Sequence, residues 1–315
     1  MGSNIKLPAP FKGIITPMVT PLTGDNALDK EGLFRLTEHI INGGVQALFI
    51  LGTTGESTSL SYTLKQELII RTCENVNGRI PVFVGITDCS PQESILLTNA
   101  AEKAGASAVV AAPPFYFGLD QQELTDYFRN LADKLVLPLF LYNIPSLTKT
   151  VIEASTVKAL ASHPNIIGLK DSSGSAPYFN SLLHHMQEDK TFTLLVGPDE
   201  MMASAVLMGG HGGVNSGSNL FPHLFTDLYH AAETRNLDEV LALQGMVMEI
   251  SAKIYSAGKS GSGFLKGLKA ALSLLEICDA QTASPLGMLG EKEFEAIETS
   301  LILMCKNSYL NKVIP

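Results

Sequence analysis

Tryptophan is absent from the 315 residues, and cysteine is scarce: Cys73, Cys89, Cys278 and Cys305 stand far apart, with no Cys-x-x-Cys pair and no histidine cluster nearby. That spacing excludes a zinc ribbon or a disulfide framework and predicts four buried, reduced thiols in a cytoplasmic protein. No apolar run is long enough to span a bilayer, and the start, Met1-Gly2-Ser3-Asn4 followed by a proline-rich lead, lacks a signal-peptide pattern. Basic residues are also in short supply. With 22 Lys and Arg against 31 Asp and Glu, the net charge of -9 provides no basic stripe for nucleic acid. An anionic small molecule stays compatible, because local donors matter more than the total. Charged residues are only 17% of the chain and hydrophobic ones 45%, the balance of a packed globular protein and not of a disordered one.

Nucleotide motifs are missing as well. Gly209-Gly210-His211-Gly212-Gly213 lacks the G-x-G-x-x-G spacing of a dinucleotide loop, and the Gly258-Lys259-Ser260 triplet has Lys253 where a P-loop needs its first glycine. His184-His185 reads as a solvated pair on a polar helix face. Met201, Met202, Met208, Met246 and Met248 have helical spacing and read as core.

What the chain does have is an alternation. Short apolar runs recur at 13–16, 45–51, 81–86, 108–111, 138–142, 166–170, 194–197 and 213–215, each followed by a helical pattern. Runs of that length suit strands buried on both faces. Ser90-Pro91-Gln92-Glu93 and Asp120-Gln121-Gln122-Glu123 have capping-box spacing, and Leu33, Leu36 and Ile40 share a helix face that Gly43-Gly44 should end. Eight strand-helix alternations over about 220 residues predict an α/β fold, a (β/α)8 TIM barrel, whose usual length is ~250 residues. A doubly wound open sheet is the alternative. After Phe221 only helical segments follow, near 222–234, 237–257, 264–277 and 291–306, with a glycine-serine hinge at 258–263. The predicted organisation is a lead over 1–10, a barrel over 11–235 and a C-terminal helical extension over 236–315.

In such a barrel the chemistry lies at the C-terminal ends of the strands. The second run ends in Leu51-Gly52-Thr53-Thr54-Gly55-Glu56-Ser57, either a backbone nest for a carboxylate or phosphate or a loop that merely caps the next helix. The fourth ends in Pro113-Pro114-Phe115-Tyr116-Phe117, an aromatic loop suited to core or interface packing. Tyr142, in Tyr142-Asn143-Ile144-Pro145, is a proton relay or a satisfied core tyrosine. The sixth run, Ile166-Ile167-Gly168-Leu169-Lys170-Asp171-Ser172-Ser173-Gly174, ends in a lysine that either reaches water in an ion pair or sits inside, where lysines are often reactive toward ketones. Asp199 and Glu200, after Gly197-Pro198, could accept hydrogen bonds from sugar hydroxyls, or Asp199 could simply cap the next helix.

Gly52-Thr53-Thr54-Gly55-Glu56, Tyr142-Asn143-Ile144-Pro145 and Gly168-Leu169-Lys170-Asp171-Ser172-Ser173-Gly174, in that order and spacing, closely resemble the dihydrodipicolinate synthase/N-acetylneuraminate lyase family of class I aldolases, from about Phe11 to about residue 300. The resemblance implies a barrel with a helical C-terminal region, usually a homotetramer, that forms a Schiff base with pyruvate or another 2-oxo acid and needs no metal or other cofactor. It matches Lys170 to the Schiff-base lysine and Tyr142 to the proton-shuttling tyrosine. Thr53 and Thr54, beside Gly52, match the carboxylate-binding pair, with Thr53 also in the proton relay. Tyr116 matches a tyrosine that synthases lend to a neighbouring subunit, and Val214 and Ser216 lie where the family lines the pocket from the eighth strand. Synthases usually carry an arginine after Tyr-Asn-x-Pro. Here Ser146 is followed by Leu147, which with Asp199 and Glu200 looks more like lyases of sialic acid or 2-keto-3-deoxy sugar acids. The expected function is therefore a sugar-acid aldolase, with the synthase as alternative, a dehydratase using the same imine third, and a non-catalytic carboxylate sensor as the reading from another class.

Overall fold

In the computed structural model, which describes residues 5–24, 26–258, 261–306, 309 and 310, eight parallel strands close in sequence order, β1 to β8, and β8 pairs back on β1. They are Gly13–Pro17 (β1), Ala47–Ile50 (β2), Val82–Gly85 (β3), Ala108–Ala111 (β4), Leu139–Asn143 (β5), Ile166–Asp171 (β6), Thr193–Val196 (β7) and Gly212–Val214 (β8). Each coincides with a predicted run to within one or two residues. The closed order establishes the (β/α)8 barrel and rules out the open sheet. Residues 1–4, and Lys259 and Ser260 of the expected hinge, lie outside the described residues.

The helices are Lys30–Asn42 (α1), Tyr62–Val76 (α2), Pro91–Ala104 (α3), Gln121–Ala132 (α4), the single turn Pro145–Thr148 (α5), Ala154–Leu160 (α6), Ala176–His185 (α7), Met202–Leu207 (α8), Pro222–Glu233 (α9), Leu237–Ile250 (α10), Gly263–Leu274 (α11) and Glu291–Cys305 (α12). A π-helical turn, Ser251–Tyr255, continues α10. Gly43 ends α1 as expected, and at α4 Asp120 and Glu123 exchange both bonds of the capping box. The box expected at Ser90 does not form: its hydroxyl makes no cap bond, and Asp88 accepts the Ser90 N–H at 2.9 Å instead.

Strand alternation divides the core in two. Ile14, Leu48, Ile50, Val84, Val109 and Leu141 face outward onto the helices, while Ile15, Phe49, Phe83, Val110, Phe140, Leu195 and Val214 fill the barrel interior. Phe83 and Phe140 stack at 5.1 Å, and Phe11 meets Phe83 edge-on at 5.4 Å, closing the lower end. Gly168 is inward on β6; a Cβ there would lie 2.4 Å from the Phe140 ring, so the glycine makes room for the phenyl two layers below the strand end. With that layer solid, the next inward position of β6, Lys170, stands on an apolar floor.

Of the four free cysteines only Cys278 is buried; Cys73 and Cys305 are half-buried, and Cys89 is exposed in the loop after β3, so the expectation of four buried thiols is corrected. The methionine reading is corrected likewise: Met202 is core, but Met208 and Met248 are exposed. Among the described residues no helix is long and apolar enough to cross a membrane.

Candidate active site

Tyr142 and Lys170 are paired across β5 and β6 and both point inward from the strand ends. Both are buried, at 5% and 6% exposure, and Lys170 Nζ lies 4.1 Å from the Tyr142 ring centroid and 5.3 Å from that of Phe49. An amine against two aromatic faces is held electrostatically without a carboxylate neutralising it. Burial pushes the Tyr142 phenol up, but the Lys170 charge and hydrogen bonds from Thr53, Ser172 and Lys170 outweigh it, so the pKa is lowered overall.

The β2 loop supplies the third component. Leu51 leaves the strand at φ +57° and Glu56 follows at +56°, two non-glycine residues in the left-handed region that fold Gly52–Gly55 into a tight nest. Gly85 on β3 permits this turn, because a Cβ there would sit 2.0 Å from the Leu51 carbonyl oxygen. Thr53 Oγ1 comes 3.4 Å from the Tyr142 hydroxyl, and Thr54 Oγ1 is 3.1 Å from Ser216 Oγ.

Ser216 and Gly217, after β8, donate their N–H groups at 2.9 Å each to Asp199 Oδ1 and Oδ2, and the Tyr255 hydroxyl donates to Oδ2 at 2.5 Å. Pro198, not Asp199, holds the cap position of the turn after β7, and the Asp199 carboxylate ties the β7 and β8 exits together instead. Glu200 accepts from Ser251, which, like Tyr255, belongs to the π-turn. A carboxylate offers about four lone-pair sites, so three bonds to Asp199 leave capacity for one more. Beneath the site, Asn143 Nδ2 donates to Asp171 Oδ1 at 2.8 Å, and Asp171 takes two further bonds from Ser173, clamping the two strand ends that carry Tyr142 and Lys170.

Lys170, Tyr142, Thr53, Thr54, Ser216 and Asp199 thus form one chain of contacts, with Gly52 and Val214 in its walls. Tyr116 and Leu147 stand apart from it. Tyr116 is 79% exposed, packed edge-on against an equally exposed Phe117, which rules out core packing; Leu147 is 54% exposed on α5. Sequence reasoning missed Tyr255, Ser251, Asn143 and the buried pair Glu56 and Lys269. Lys269 did leave a signal: with Leu265, Leu268 and Leu272 it falls on one apolar helical stripe, where a lysine requires a partner. Among the described residues no group of three His, Cys, Asp or Glu side chains is arranged to hold a metal ion.

The Asp199 carboxyl has a stability consequence. Burial, opposed by the Tyr255, Gly217 and Ser216 bonds, raises its pKa to about 6, against ~3.9 when unfolded. Between those values the folded state binds the proton more tightly, so stability falls as pH rises from about 4 to about 6 and is level above, a loss of at most about 3 kcal/mol. Other carboxylates titrate in the same range, so the measurement is a difference. Melting of wild type against Asp199→Asn should show the wild type losing ground as pH rises through that window; parallel curves would refute the shift.

A closed barrel of this kind, with polar side chains converging at the C-terminal strand ends, is the architecture of barrel enzymes. The profile of the dihydrodipicolinate synthetase family matches residues 10–302. A 4-hydroxy-tetrahydrodipicolinate synthase of Gluconobacter oxydans is 32% identical over 92% of this chain and 96% of its own. Escherichia coli YagE, a putative 2-dehydro-3-deoxy-D-gluconate aldolase, is 35% identical over 70% of this chain and 74% of its own; its structure in complex with pyruvate superposes with a TM-score of 0.88. The dihydrodipicolinate synthase structure from Bacteroides thetaiotaomicron is 50% identical, with a TM-score of 0.92 over 94% of this chain and 99% of that one. The chain belongs to the dihydrodipicolinate synthase family. It is accordingly a carbon-carbon lyase of the class I aldolase type.

Proposed function

We propose that Lys170 forms the imine with pyruvate or a 2-oxo acid, and that the enzyme cleaves or makes a 2-keto-3-deoxy sugar acid. The observation that carries this reading is the buried Lys170 amine against the Tyr142 ring, with Thr53 Oγ1 on the phenol. The amine adds to the ketone and water leaves. The protonated imine then accepts the electron pair of the breaking C3–C4 bond as an enamine, which takes up a proton at C3, and water hydrolyses the resulting imine to free pyruvate and the Lys170 amine. Tyr142 takes the proton from the C4 hydroxyl in cleavage and returns it in synthesis, Thr53 relaying it. The nest at Gly52, Thr53 and Thr54 holds the substrate carboxylate and thereby the orientation of the ketone. Val214 and Ser216 form the opposite wall. The pyruvate held by YagE fits this scheme.

The sugar-acid reading rests on charge at two places, of which Leu147 enters by the family resemblance and lies exposed outside the chain of contacts. A leucine at position 147 cannot make the bidentate contact by which an arginine would hold a second carboxylate, and the spare acceptor capacity of Asp199 and Glu200 suits polyol hydroxyls. The synthase names of several relatives favour the alternative, condensation with aspartate semialdehyde; a dehydratase using the same imine is the third. The exposed Phe115, Tyr116 and Phe117 suit a partner copy in a homo-oligomer, the tetramer of the family resemblance, with Tyr116 reaching a neighbour's site.

Borohydride reduction in the presence of pyruvate, followed by peptide mapping, should place the adduct on Lys170; an adduct elsewhere, or none, removes the scheme. Pyruvate release from N-acetylneuraminate and 2-keto-3-deoxygluconate should exceed the synthase reaction with aspartate semialdehyde. Appreciable synthase turnover would overturn the role given to Leu147.

A further inference from the structure

Glu56 closes the β2 nest, two residues beyond Thr54, yet its side chain turns away from the site. Its carboxylate faces the Lys269 ammonium of α11, and both side chains are wholly shielded from solvent. Glu56 Oε2 also accepts the Ala283 N–H at 2.7 Å, and Lys269 Nζ donates to the Gln281 carbonyl at 2.6 Å. One ion pair therefore joins the nest to α11 and the 281–283 segment, which lie more than 200 residues further along the chain. Burial pulls the Lys269 pKa down, against the pull of Glu56 in the other direction.

We propose that the Glu56–Lys269 pair is a positioning strut for the nest, by which the C-terminal helical region sets recognition of the substrate carboxylate. Stability alone is a poor account of it, because a buried ion pair can often be replaced by apolar residues of similar volume at no loss. What such a pair does supply is a single geometry. The backbone here needs one: Glu56 holds a left-handed conformation, and its N–H closes on the Thr53 carbonyl at 3.0 Å, so any drift of its side chain turns the amides and hydroxyls of Thr53 and Thr54. The strand ends that carry Lys170 and Tyr142 are held by the Asn143–Asp171 clamp, and the nest meets them only through Thr53 Oγ1 on the phenol, so the strut acts on the carboxylate and not on the Lys170 amine.

The inference rests on the nest being the carboxylate site, and the test separates the two. Imine formation is measured on the full-length enzyme by borohydride trapping, with pyruvate and with acetone, which has a methyl where pyruvate has its carboxylate. In the paired variant Glu56→Gln/Lys269→Met, which leaves no unpaired buried charge, the half-saturating pyruvate concentration should rise about tenfold or more, while acetone trapping stays within about twofold of wild type. Glu56→Asp keeps the charge but shortens the reach, and should move pyruvate alone, in the same direction, by about threefold. Equal losses for both ketones, or no loss for pyruvate, would overturn the strut while the nest reading survives. A wild type that traps acetone as readily as pyruvate would remove the nest reading and the strut with it.

Discussion

Lys170→Met should lower turnover by about 10³-fold or more, equivalent to about 4 kcal/mol of barrier, and leave no pyruvate adduct after borohydride. Methionine has nearly the length of lysine and accepts the apolar floor of Phe49 and Leu195, so the fold should tolerate it. Lys170→Arg sharpens the result. Arginine keeps the positive charge beside Tyr142 but offers no free amine, since the guanidinium stays protonated. If Lys170 acts as a nucleophile, both variants are equally dead. If it only stabilises an anion electrostatically, the arginine variant retains a good part of the activity, and the imine mechanism fails.

Why the barrel could be read from the chain and parts of the site could not has a physical basis. A parallel strand covered on both faces must be apolar along its length, so β4 and β6 stood out as runs, and Lys170 stood out as their interruption. Gly52 to Glu56 was legible through its two glycines, which the packing requires for close approach: a Cβ at Gly52 would lie 2.7 Å from the Phe49 ring and one at Gly55 3.1 Å from the Met18 carbonyl oxygen. Contacts that depend on tertiary register were not legible. Ser90 has capping spacing, yet Asp88 takes its N–H, a choice set by the loop and not by the spacing. Ser251 and Tyr255 reach Glu200 and Asp199 through a π-turn, whose extra residue breaks the 3.6-residue phase on which face assignments depend. Asp199 carried two sequence readings, helix cap and hydroxyl ligand. The bonds it makes across to the β8 exit belong to neither reading, because they join residues 17 and 18 positions later.

The same contacts give the C-terminal helices a place in the site. α11 reaches the nest through Lys269, and the π-turn reaches the β7 and β8 exits through Tyr255 and Ser251. The barrel carries the Lys170 amine and the Tyr142 phenol on paired strands, whereas the loops around them are braced from outside the eightfold repeat. Substitutions in that bracing should alter substrate affinity more than the intrinsic rate of bond cleavage.

Tyr142→Phe should divide the reaction at the opposite point. The phenyl ring preserves the face on which the Lys170 amine rests and removes only the hydroxyl shared with Thr53. Imine trapping with pyruvate should therefore persist, while aldol cleavage falls by about 10²–10⁴-fold, the range for loss of a positioned proton-transfer group. The pH profile supplies a second readout. Because the phenol's pKa is lowered below that of free tyrosine, chiefly by the Lys170 charge acting against burial, the phenolate that accepts the C4 hydroxyl proton accumulates at lower pH than it would on an isolated tyrosine. Cleavage by the wild type should rise with pH up to that lowered value and then level off, and the rise should vanish in Tyr142→Phe. If the variant keeps the wild-type pH dependence, the proton is carried by another group, with Thr53 the next to be replaced. If it loses imine trapping as well, Tyr142 is needed before the carbon-carbon bond is touched, and its part would lie in assembling the imine.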